Sequence, residues 1–183
     1  SILIFLLISY VLLSISLYYL FPKAGVDAVK GLIPGVNFME WTKLIGRQPR
    51  YALLLLIPIV NFFIFTGMAV DLVRSFGKLS LIDSALAVIY APAAFLKTAF
   101  SKEDKYVGQT LKLEKEYAEK MMEAKNSNNE YEFKKLAENN PYKKSGGREW
   151  VESIVFAVFA APPLLKQGLD AAFSHQFSLQ VID

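Results

Sequence analysis

The sequence contains no cysteine and a single histidine, His175. The first absence removes disulfides, thiolate metal sites and cysteine nucleophiles. The second leaves His175 without acidic or histidine neighbours at ligand spacing, so no metal centre, cofactor site or catalytic triad is predicted. Charge of one sign is scarce as well. The 20 basic and 17 acidic residues leave a net +3, too little for an electrostatic footprint on nucleic acid, which is not expected as a partner. Charge is missing altogether from two long stretches, SILIFLLISYVLLSISLYYL at 1–20 and YALLLLIPIVNFFIFTGMAV at 51–70. Apolar residues make up 54% of the chain. They fall in blocks between charged segments rather than at helical or strand period, which is the pattern of a membrane protein.

A helix needs about 20 apolar residues to cross a hydrocarbon core of roughly 30 Å. Three segments qualify: 1–20, 51–70 and 79–100. The first is longer than a signal-peptide core, typically about 7–15 residues, and no small-residue cleavage site follows it, so a retained span is expected. Its opening on Ser1 suggests that a few native residues precede it. In the second, Pro58 predicts a kink over 54–61, with Asn61 close by. The third carries Asp83 and Lys97 near its ends and Pro92 between them. Charges so placed snorkel to the interface. On one straight helix they would lie about 21 Å apart at roughly 1.5 Å per residue, too far to pair.

The connections complete the expected organisation. Residues 21–50 hold five basic and two acidic residues but are too apolar for a plain loop, so interfacial or re-entrant helices broken at Pro34-Gly35 are predicted. Residues 71–78 read as a tight turn between spans, with Asp71 and Arg74 as an exposed pair worth little. Residues 101–149, with 11 basic and 10 acidic residues, read as a helical linker. Its first helix, over about 104–125, puts Leu113, Tyr117, Met121 and Ala124 on one side and spaces Lys112 and Glu116 for pairing. NSNN at 126–129 ends it, and EYEFKKLAE forms a second helix. Trp41, Trp150, Tyr18 and Tyr19 fit the headgroup anchors of a membrane protein. From 150 to 165 a further apolar stretch is cut short by Pro162-Pro163, leaving either a truncated fourth span or an interfacial helix. The tail 166–183 offers Lys166 with Ser174 or Ser178, but no motif frames them, and no catalytic residue is assigned.

The excess of basic residues in 21–50 and 101–149 assigns both to the cytoplasm and the 71–78 turn to the other side. The expected fold is therefore all-α, a polytopic membrane helical bundle over 1–100 with a cytoplasmic amphipathic helical linker. Its site would be the bacterial inner membrane.

Leu-Ile-Pro-Gly-Val-Asn at 32–37 returns as Leu-Ile-Pro-Ile-Val-Asn at 56–61, two apolar segments each broken by proline. The order of GLIPGVNFMEWTKLIGRQPRYALLLLIPIVN, DLVRSFGK, KYVGQ and REWVESIVFAVFAA resembles the amino-terminal membrane region of the signal peptidase I proteins of Bacteroidota, over roughly residues 32–161. That resemblance implies the anchor of a serine endopeptidase of Ser-Lys type, which removes signal peptides from exported preproteins beside the Sec translocon. After Ala161 neither the Ser-Met motif nor the basic box before Gly-Asp follows, so no catalytic residue carries over. The alternatives are an incomplete portion of such an enzyme and a noncatalytic inner-membrane protein that joins the translocon or another membrane complex.

Overall fold

Twenty uncharged residues without glycine or proline give the backbone no reason to stop, and the first helix, α1 (Ile2–Leu20), runs unbroken through them. The computed structural model describes residues 2–142, and among these every regular element is helical. A 3-10 turn, Phe21–Ala24, extends α1 until Gly25 reverses the chain at φ 73°. The continuous stretch Ile2–Ala24 is long and apolar enough to cross a membrane. Its first turns, Ile2 to Ile8, are exposed all round, whereas Leu13, Leu17 and Leu20 are buried, where the second half packs along α5.

Proline sets the rest. Residues 21–50 form short helices broken at Pro34-Gly35, in agreement with the sequence: a 3-10 turn at Ala28–Gly31 and then α2 (Val36–Leu44), which begins after Gly35 at φ 80°. The continuous helix expected over 51–70 does not form. Pro58 lacks an N–H and crowds the carbonyl four residues back, and it forces Ile57 into extended geometry. The chain instead makes a 3-10 segment, Pro49–Leu56, turns through Ile59, and starts α3 (Val60–Ser75). That helix runs past residue 70 and takes up Asp71 and Arg74, which were expected in a turn. The third expected span is likewise two helices, α4 (Leu81–Ile89) and α5 (Ala91–Phe100), divided at Tyr90. Pro92 lies in the first turn of α5, where its missing N–H costs nothing, and it could not have continued α4.

Residues 101–109 are not helical, so the linker helix α6 (Thr110–Asn126) starts six residues later than the pattern suggested. Asn128, at φ 52°, turns the chain into α7 (Glu130–Glu138). Asn129 caps α7, its Oδ1 accepting from the Glu132 N–H at 3.2 Å. The Tyr117 hydroxyl donates to the Leu136 carbonyl and ties the two linker helices together.

Segments distant in sequence meet in one polar layer. Tyr106 donates its hydroxyl to the Leu44 carbonyl at 2.8 Å, and Leu111 N–H donates to Ile45 at 3.2 Å; these hold the end of α2. Val107 N–H donates to the Ser75 carbonyl at 2.8 Å and Thr110 Oγ1 to that of Asp71 at 2.6 Å; these hold the end of α3. Lys23 Nζ reaches the carbonyls of Thr98, Ser101 and Asp104, joining the end of α1 to that of α5. Lys78 pairs with Asp104 at 2.8 Å. The chain thus leaves this layer and returns to it three times, reversing at Pro34-Gly35, at Pro58-Ile59 and at Tyr90. The placing of 71–78 and 101–109 on opposite sides is therefore corrected, because hydrogen bonds and an ion pair join them directly. The sequence features at 150–165 and 166–183, with Trp150, Lys166, Ser174, His175 and Ser178, lie outside the described residues.

Candidate functional site

Above the polar layer the excursions meet at Trp41, which is fully buried and not the headgroup anchor that its type suggested. The position falls on the inner face of α2, and the indole is closed in by Phe38, Phe65 and Phe95 at centroid distances of 5.9, 5.6 and 5.1 Å. Its one polar atom is satisfied, since Nε1 donates to the Met68 carbonyl at 3.1 Å. Tyr19, by contrast, remains half exposed beside Phe100.

The repeated Leu-Ile-Pro-x-Val-Asn words fold into the same turn twice. Asn37 N–H donates to Ile33 at 3.0 Å, and Asn61 N–H donates to Ile57 at 2.9 Å. The residue after each proline has matching backbone angles, φ 80° and ψ −48° at Gly35 and φ 69° and ψ −51° at Ile59. The first copy uses glycine, for which that region is open. The second places a β-branched residue there, closed by a 2.8 Å bond from Val60 N–H to the Pro58 carbonyl. This is a γ-turn of the rare, strained hand. The buried Asn37 side chain donates to the Tyr10 hydroxyl at 3.4 Å and accepts from the Phe38 N–H at 2.8 Å.

A groove of about 810 Å³ lies between α2, the Pro49–Leu56 segment and the start of α3, with Gly35 of the first turn and Asn61, just past the second, in its lining. Met39, Leu53, Leu56, Phe62 and Phe65 supply apolar walls, and Arg50 and Asn61 stand at its margins.

The charged residues singled out in the sequence have structural duties. Asp83 and Lys97, too far apart on a straight helix, are 3.2 Å apart because the chain folds back at Tyr90. Ser80 caps α4, accepting from the Asp83 N–H and donating to its carboxylate at 2.7 Å. Asp71 is buried within α3 rather than exposed, and Arg74 approaches Glu114 of α6 at 3.9 Å. Burial pushes the Tyr106 phenol above its ordinary value, which keeps it a donor to Leu44. Among the described residues no cluster of acidic or histidine side chains could hold a metal ion. Lys23, Ser75 and Thr110 were not singled out from sequence. Each looks like an ordinary polar residue beside an apolar run, and only the closure of the layer gives it a partner.

A family of unknown function (DUF5684) matches residues 29–109. The matched stretch contains Pro34, Pro58 and Pro92, the groove, and the return of the chain to the polar layer. No curated protein and no solved structure matches the chain.

Proposed function

We propose that this chain is a noncatalytic membrane anchor of the inner membrane. In this reading α1 crosses the bilayer, the proline-broken excursions are immersed from the side of the polar layer, and the linker helices are held at the surface. The observation that carries it is the distribution of exposed apolar side chains. They cover the first turns of α1 and recur at Leu53, Leu56, Ile59, Phe62 and Ile89, away from the polar layer. A water-exposed surface rarely tolerates patches of this extent.

The resemblance in sequence to the membrane region of signal peptidase I supports a narrower reading. Tethering a serine endopeptidase at the bilayer raises its effective concentration where signal peptides of exported preproteins emerge, beside the Sec translocon. A second reading, a noncatalytic protein bound to the translocon or another complex, draws support from residues 162–183, which carry neither Ser-Met nor a basic box before Gly-Asp.

Alkaline carbonate washing of membranes tests the anchor, which should remain in the pellet and be released only by detergent. Release into the wash would defeat it. Cleavage of a preprotein by the purified full-length gene product would favour the peptidase reading, and failure to cleave would leave the interaction role.

A further inference from the structure

The groove is lined by apolar groups except at Arg50 and Asn61, and Arg50 is its one charged side chain. Arg50 follows closely in sequence on Ile45 and Gly46, which meet the polar layer: Leu111 N–H donates to Ile45, and a Cβ at Gly46 would come within 3.2 Å of Gln109 Cβ and 3.3 Å of Leu111 Cβ. From Arg50 the chain runs through Leu53, Leu55 and Leu56, all lining the groove, to the Pro58-Ile59 turn. No acidic residue lines the groove. The nearest acid in sequence to the α2 wall, Glu40, is already held by Lys30 at 3.1 Å and Lys43 at 2.9 Å, and Arg50 makes no ion pair among the described residues.

Dimensions select the occupant. The Pro49–Leu56 segment has eight residues, which at roughly 2.0 Å per residue in a 3-10 helix rises about 16 Å. That is close to half of the roughly 30 Å hydrocarbon core, the depth of one leaflet. The volume falls in the range of small-molecule sites, roughly 300–1,000 Å³, enough for a single acyl chain. A cation at headgroup depth above an apolar channel one leaflet deep has the order of charge and hydrocarbon found in one phospholipid.

We infer that this groove seats one acyl chain of an anionic phospholipid, with the phosphate paired to Arg50. The inference rests on the anchor reading, since the lipid reaches the groove only from a bilayer. Arg50 supplies the headgroup preference, and Leu53, Leu55 and Phe65 supply hydrocarbon contact that any acyl chain would share.

The test uses the full chain in nanodiscs of equal phosphatidylglycerol and phosphatidylcholine, taken into mild detergent and weighed intact by native mass spectrometry. The wild type should retain phosphatidylglycerol in preference to phosphatidylcholine. Arg50→Ala should lower that preference about fivefold, the effect of one cation at the membrane surface, and Arg50→Lys should largely keep it. Leu55→Trp should fill the channel and expel both lipids. Arg50 is exposed, so its variants test the idea even if Leu55→Trp does not fold. Equal retention of the two lipids by the wild type, an unchanged preference in Arg50→Ala, or a second copy of the chain retained in place of lipid would overturn the inference. These results leave the anchor reading standing, which fails separately if the chain leaves membranes in carbonate.

Discussion

Single residues here divide between those that hold the core and those that strain it. Trp41 holds it: truncation to alanine removes three aromatic contacts and opens a cavity where α2, α3 and α5 meet. The expected loss is about 3–5 kcal/mol, read as a lowered unfolding midpoint in detergent. Trp41→Phe keeps most of the contacts but loses the bond to Met68, and should cost about 1 kcal/mol; equal losses in the two variants would show that the ring packing matters little. Ile59 is the opposite case. Its side chain is 80% exposed and gains little from burial, yet its backbone occupies a region that costs a β-branched residue about 1–3 kcal/mol. The equivalent turn already uses Gly35. Ile59→Gly should therefore stabilise the fold by about 1 kcal/mol, after allowing for the entropy that glycine brings to the unfolded chain. A lower midpoint for this variant would mean that the turn is held by contacts of the isoleucine side chain.

Several of the helix breaks are legible in the residues. Pro34-Gly35 was read as a break, Pro58 as a kink, and the NSNN segment as the boundary between two linker helices, all from local chemistry. Apolar length obscured how far the chain turns at each break. A run such as 79–100 has the composition of one long helix, and nothing in its composition states that Tyr90 adopts φ −154° and ψ 87°. The consequence can be tested with no background, because the sequence has no native thiol. Asp83→Cys with Lys97→Cys should be joined by a short bis-thiol crosslinker, since α4 and α5 fold back on each other. In one continuous helix the two positions would be about 21 Å apart, and the same reagent would leave them unlinked. The ion pair itself should contribute under about 1 kcal/mol in a double-mutant cycle, because exposed pairs are screened and Lys97 is largely in the open.

At the scale of the whole molecule, the expected alternation of sides rests on two premises, the larger number of basic residues in 21–50 and 101–149 than in 71–78 and a bilayer crossing by each apolar run. If each apolar run crosses the bilayer, the segment after every second run must lie opposite the first, which agrees with two basic residues in 71–78 against five in 21–50 and eleven in 101–149. Once the runs reverse at Tyr90 and Pro58, the second premise is lost, and the layer gathers Lys23, Lys43, Arg74, Lys78 and Lys97 with the linker. The buried contacts that close this layer, Thr110 to Asp71 and Val107 to Ser75, join positions over thirty residues apart and leave no trace in local sequence. Single cysteines at Gln48, Leu79, Lys102 and Glu116 separate the two arrangements. With a membrane-impermeant maleimide added to one face of sealed vesicles, all four should react from the same face and none from the other. Labelling of Leu79→Cys from the face opposite to Lys102→Cys would restore a crossing between them and show that the Lys78–Asp104 pair does not form in the bilayer.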